Sequence, residues 1–358
     1  ESSNLPVGDF FIKNFYAKLK NYPHTLRKFN AHVIVGDEDL DILEFNGKID
    51  KSDFQYAGRL YDYPVLLKDT LSGTIDLDFS LKSNLLRLDD LFAYNGENYV
   101  PEDYRNEEIN DLDMYGNAQF YFEDSLKSTD IYFDQLNAGL KVHSMEIEDI
   151  HGKFKFQEEL IMLNQMSGNI GNTAFTVNMK LYLGDNDSIR KSNNMVALNA
   201  EMVDFDQLSN YTIPHSNDSA YIVNHDSVFN IYELPFTDMV FDFEVDELNY
   251  HRHQINELNM DFRIQKNHFI YIDTLQLQTA GGNFDISGYF DGSNHDSIYF
   301  YPDIKISNVN MDQMLYRFEN FGQDQIVSEN LHGRLSGSIK GKVHMHPDMV
   351  PLIGESEI

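Results

Sequence analysis

Residues 334–345 read Arg-Leu-Ser-Gly-Ser-Ile-Lys-Gly-Lys-Val-His-Met. Leu335, Gly337, Ile339, Gly341, Val343 and Met345 alternate with Arg334, Ser336, Ser338, Lys340, Lys342 and His344. A period of two is that of a strand with one apolar and one wetted face. The same beat recurs upstream. Ile75, Leu77, Phe79 and Leu81 alternate with Asp76, Asp78 and Ser80. Met239, Phe241, Phe243 and Val245 alternate with Asp242, Glu244 and Asp246, and Leu258, Met260, Phe262 and Ile264 with Asn259, Asp261 and Arg263. Such alternation belongs to antiparallel sheets, because parallel strands buried under helices read as continuous apolar runs.

Helical signals are scarce. Met314, Leu315, Phe318 and Phe321 share one face of a short helix after Asn310, and another short turn is expected over Tyr22-Pro23-His24-Thr25-Leu26. Residues 93–113 and 209–235 read as loop insertions, each followed by a return of the strand pattern. A six-residue motif, apolar-polar-apolar-Asp-polar-apolar, occurs at Leu86–Leu91, Val203–Leu208 and Val309–Met314. Related strands precede each, at Phe54–Gly58, Phe175–Met179 and Phe284–Gly288. The chain 1–358 is thus expected to be one continuous body of repeats covering about 30–92, 140–209 and 247–315, with a fourth starting near Leu331.

With 58 Asp and Glu against 27 Lys and Arg, the 358-residue chain carries a formal charge of -31. That surface repels phosphate backbones and anionic membrane surfaces, which excludes nucleic acid as a partner. A hydrophobic fraction of 42%, with 26 Phe and 21 Tyr, excludes an acidic disordered tail. Cysteine is absent, which removes disulfides, thiol nucleophiles and thiolate metal sites.

These residues resemble the AsmA/TamB superfamily of bacterial envelope proteins, specifically the AsmA-like repeats of Bacteroidota. Gly168-Asn169-Ile170-Gly171-Asn172-Thr173-Ala174-Phe175 and Ala280-Gly281-Gly282-Asn283-Phe284-Asp285-Ile286-Ser287-Gly288 carry a small-residue turn before a strand that ends near a glycine. Glu233-Leu234-Pro235-Phe236, Leu331–Gly337 and His346-Pro347-Asp348 resemble the C-terminal part of such proteins. The resemblance runs from about Asp9 to Ile358, and Met179 stands where the family often has glycine. It implies an inner-membrane anchor outside this stretch, a periplasmic body and a role in carrying phospholipid toward the outer membrane or in supporting outer-membrane assembly. The chain accordingly reads as a piece of a longer one.

The expected fold is mainly β: an elongated, repetitive antiparallel sheet, folded into a U-shaped, taco-like apolar groove, with a few short helices. Ile75, Leu77, Phe79, Phe175, Val177, Met179, Phe241, Phe243, Phe284, Ile286, Leu335, Ile339 and Val343 are the expected lining. Patterning alone fits a dry sandwich core as well, and the resemblance favours the open groove. The ligand class is phospholipid or another acyl lipid, with envelope membrane proteins as further candidate partners and no cofactor. An assembly factor acting by strand addition, or an adhesin with a closed core, are the competing readings.

No enzyme is expected. Gly-x-Ser-x-Gly does not occur, and Gly281-Gly282 precedes a strand without the Lys-Ser/Thr continuation of a phosphate loop. His251-x-His253 and His344-x-His346 have metal-compatible spacing, but neighbouring Arg252, Lys340 and Lys342 oppose a cation, so no metal is expected there. The acidic runs near Asp37, Asp185 and Asp291 lack the closing Glu of a calcium loop and read as solvated turns. Asp124-Ser125-Leu126, Asp218-Ser219-Ala220 and Asp226-Ser227-Val228 resemble a Bacteroidota O-glycosylation signal, and a polar turn entering a strand gives the same residues.

Overall fold

The computed structural model describes residues 5–68, 70–91, 93–94, 97–98, 100, 105–142, 144–208, 238–250, 253–294, 297–317, 328–346 and 351–357. The fold is mainly β with a few short helices. It divides into two compact units, Glu1–Gly171 and Asn172–Ile358. The boundary falls inside the stretch 140–209 read as one repeat, since strand alternation carries no mark of where packing thins.

In the first unit, strands β1 (Gly8–Lys18), β2 (Thr25–Val35), β3 (Leu40–Ile49), β4 (Ser52–Tyr61) and β5 (Ser72–Arg87) each pair antiparallel with the next. A 3-10 turn, Tyr63–Leu67, links β4 to β5, and α1 (Leu88–Leu91) closes the run. After a small hairpin of β6 (Ala93–Tyr94) and β7 (Glu97–Asn98), the meander resumes through β8 (Glu108–Glu123), β9 (Ser125–Leu140), β10 (Met145–Gln157) and β11 (Leu160–Ile170). β8 lies beside β5, and every pair is antiparallel.

The second unit runs β12 (Thr173–Tyr182), α2 (Asp187–Asn193), β13 (Met195–Asp204), α3 (Phe205–Leu208), β14 (Met239–Tyr250), β15 (His253–Gln265), β16 (Phe269–Thr279), β17 (Gly282–Asp291), β18 (Ile298–Asn310), α4 (Met311–Arg317), β19 (Arg334–Met345) and β20 (Pro351–Glu357). Neighbours are antiparallel with one exception: β13 and β14 are parallel. A parallel neighbour needs a long return connection, and residues 205–238 supply it. The expected 209–235 insertion lies outside the described residues.

Two expectations change, and a third holds as far as the described residues reach. The 93–113 loop ends early, because β8 starts at Glu108 and pairs Ile109 with Leu86. Residues 22–26 form no helical turn: the chain turns at Lys20-Asn21 and β2 begins at Thr25. The helix after Asn310 is α4, with Met314 and Leu315 buried, while Phe318 and Phe321 lie outside the described residues.

Two local devices shape the ladders. Lys28, Asp149 and Glu257 occupy corresponding places in β2, β10 and β15, each at positive φ (53°, 52° and 50°) beside a register shift. These are bulges, which add twist and bend the strand. A glycine line crosses the first unit as well. Gly58, Phe79, Gly116, Phe133 and Gly152 stand opposite one another across five strands. A Cβ on Gly58 would come within 2.4 Å of the Asp78 carbonyl oxygen, and one on Gly116 within 2.0 Å of that of Tyr132. The backbones approach there as only glycine allows. In the second unit Gly288 repeats this, with 2.3 Å to the Tyr301 carbonyl oxygen.

Three of the buried cores sit where helical turns cover the sheets, and a fourth, Ile298 with Met345, lies at the other end of β18 and β19. Leu91 of α1 packs on Leu86, Leu112 and Ala138. Leu208 of α3 packs on Ala200, Val203, Val245 and Leu258, and α4 brings Met314 and Met311 to Val309, Ile306 and Ala280.

Candidate functional site

Pairing partners in a sheet present their side chains on one face, so register assigns faces directly. In the second unit one cross-strand row reads Val177, Leu198, Phe243, Met260, Leu275, Ile286, Ile304, Ile339. A second reads Met179, Val196, Phe241, Phe262, Ile272, Gly288, Pro302. A third reads Met239, Ile264, Ile270, Phe290, Phe300, Val343. No charged residue interrupts any of them. Phe175 and Phe284 border the rows at the helical end, packed on the buried cores, and Leu335 stands opposite Val309. All ten expected lining residues of this unit therefore share one face.

The first row is the informative one. All eight of its residues are half-buried, neither sealed nor free. At the helical end of the same strands Val245, Leu258, Ile306 and Val309 are buried, and at the far end Ile298 and Met345 are buried. The apolar face is thus closed at the helical end, while toward the far end it is sealed only on β18 and β19, and the third row is half-buried like the first. Stacked rings, Phe241 on Phe262 at 4.3 Å and Phe290 on Phe300 at 4.0 Å, stiffen it.

In the first unit Leu60, Leu77, Ala118, Ile131, Phe154 and Leu163 form the matching row, and Phe79 meets Phe133 at 6.5 Å over Gly116. Leu77 and Phe79 lie on this half-buried face. Ile75 does not line an opening: only 2% of it is exposed, on the strand against which the Tyr63–Leu67 turn packs.

The opposite faces are largely polar, and in the second unit a stacked ladder of Tyr271, Tyr289 and Tyr301 runs among the charges. Arg263 pairs with Asp273 at 2.5 Å and Lys340 with Asp303 at 2.6 Å, and those carboxylate bonds hold both cations above their usual pKa. A cleft of about 390 Å³ also lies on the wetted side, lined by the amides of Asn256, Gln278, Asn283 and Asn308, and is no part of the apolar site. His344 faces Tyr299 at 5.2 Å and His253 faces Tyr250 at 6.4 Å, while His251 lies outside the described residues. Neither histidine joins a ligand set among the described residues.

Sequence reasoning missed the residues that fasten the helical turns. Ser52 Oγ accepts the Arg87 backbone N–H, and Asp90, 4% exposed, accepts the N–H of Ser52 at 3.2 Å and its hydroxyl at 3.0 Å. Thr173 and Gln207 repeat this: Thr173 Oγ1 accepts from Asp204 N, and Gln207 Oε1 accepts from Asn172 N at 2.7 Å. The fifth position of the six-residue motif is the available signal, being polar in all three copies: Asp90, Gln207 and Gln313.

No protein-family model, curated protein or solved structure matches this chain. Among the described residues no helix is long and apolar enough to cross a membrane.

Proposed function

We propose that the chain is a periplasmic, bridge-like lipid-transfer protein whose apolar face shields acyl chains between inner and outer membranes, anchored by a segment outside this stretch. It is a carrier and no enzyme. The observation that carries this is the uncharged row from Val177 to Ile339, half-buried across eight strands. A folded monomeric core would seal such residues, and burying each acyl methylene gains roughly 0.8 kcal/mol without specific polar contacts. The bulges and close glycine approaches add local twist and bend to the strands, which suits a surface that wraps an acyl chain. The resemblance to AsmA-like repeats supplies the compartment and the direction of the reading.

A photo-crosslinker at Ile286 is expected to capture phospholipid in cells, and one at Asp285, on the opposite face, little. Val177→Asp is expected to impair lipid passage more than Asn178→Asp. Equal capture on both faces, or none in lipid-replete cells, overturns the reading.

One observation favours a second reading, an assembly factor acting by strand addition. Among the described residues β1 pairs with β2 alone, and its Phe10, Phe11, Ile12, Phe15 and Tyr16 are exposed. Such an edge is a template for another strand. Loss of partner assembly with lipid passage intact, on placing proline at Ile12, is its distinguishing result.

A further inference from the structure

We propose that His24, Asp50 and Asp90 form a site for one divalent transition-metal ion of the zinc class. The three residues come from three segments, the entry to β2, the β3–β4 turn and α1, and each offers a ligand atom within 4.8 Å of the others. Imidazole with two carboxylates suits zinc and its neighbours, and does not suit magnesium or calcium.

The carboxylates are held in place by backbone. Asp50 Oδ1 accepts the Thr25 N–H at 3.0 Å, and Asp90 Oδ2 accepts those of Lys51 and Ser52 at 3.2 Å. Outer bonds of this kind preorganise metal ligands. Asp50 Oδ2 meets His24 Nδ1 at 2.8 Å, while His24 Nε2 is buried with no hydrogen-bond partner. Arg87 opposes a cation, lying 3.9 Å from Asp90, and its charge is shared with Glu108 at 3.7 Å.

Repetition within the chain separates ligand duty from folding duty. The β-turn position of Asp50 (φ 49°) is taken by Gly171 (φ 56°) and Ala280 (φ 49°) in the other repeats. Gln207 and Gln313 take the place of Asp90, while Met145 and His253 take that of His24, so the third repeat keeps the imidazole and lacks both carboxylates. Gln207 still fastens its helical turn to the hairpin, so the scaffold needs an acceptor there and no charge. Only the first repeat collects a histidine and two carboxylates at this place. The ion would tie α1 to two other segments of that repeat.

The test borrows the chain's own alternatives. Untagged protein and its Asp50→Gly/Asp90→Gln variant are titrated with zinc chloride by calorimetry, and their melting temperatures recorded with zinc, magnesium or calcium. The wild type is expected to show one saturable zinc site at least tenfold tighter than any in the variant, and a rise in Tm with zinc alone. His24→Ser, which leaves both carboxylate anchors intact, must lose the same site and is the deciding variant if the double one does not fold. No saturable binding by the wild type, or unchanged binding in a folded variant, overturns the proposal.

Discussion

Ser52 Oγ accepts the backbone N–H of Arg87 at 2.9 Å, joining the start of one strand to the last residue before a helical turn. Thr173 and Asp204 make the same bond at 3.1 Å. In the third repeat glycine stands at this place, Gly282, and the Asn310 N–H bonds directly to the Ala280 carbonyl at 2.8 Å. The hydroxyl is therefore a spacer between hairpin and turn. Ser52→Ala, at a residue 1% exposed, leaves a buried N–H and a carboxylate short of partners. Equilibrium urea unfolding is expected to show a loss of about 1–3 kcal/mol, and Thr173→Ser a much smaller one.

Gly58→Ala is expected to cost about 1–3 kcal/mol, since its methyl would meet the Asp78 carbonyl oxygen at 2.4 Å and backbone must move. Gly337→Ala, on a strand site with nothing within 4 Å, is expected to be neutral. Urea midpoints of the pair check this.

Lys28 holds a left-handed conformation at φ 53° without a short side chain to ease it. Lys28→Gly is expected to raise stability by about 1 kcal/mol, and Lys28→Val to lower it. Unfolding of both variants under identical conditions decides.

Burial pushes the Asp53 carboxyl up, but bonds from Asn84, the Leu85 N–H and Ser83 outweigh it and hold the group below the usual range. A depressed folded pKa contributes stability above the unfolded value that is lost as pH falls through the folded one. Stability is therefore expected to drop on acidification below about pH 4. Asp53→Asn should flatten that part of the profile, measured as Tm against pH.

Period-two alternation made the faces of the strands legible. Phe175, Val177, Phe243, Ile286 and Ile339 share a face because cross-strand register preserves what the sequence spaces two apart. Bulges hid what was missed. Around Asp111 (φ 49°) the ladder shifts register, so Ile109 and Leu112 both pack into one core although three residues apart. The start of β8 consequently looked like a loop. His24, Asp50 and Asp90 were invisible for a different reason, since only folding brings such distant positions together. The burial of Ile75 depends on a neighbouring turn that its own strand does not encode.

The parallel pairing of β13 with β14 sets the parity of the second unit. Antiparallel steps reverse the chain each time, and a single strand, β14, separates the run ending in α3 from the four-strand run ending in α4. Were that step antiparallel too, β18 would travel opposite to β13, and α4 would emerge at the far margin of the sheet. With one step that does not reverse, β13 and β18 point the same way. Leu208 and Met314 then close the same margin, while α2, between β12 and β13, stands at the opposite one. Inserting or deleting one strand in this unit would put its helical turns out of phase, whereas a pair of strands can be added without disturbing them.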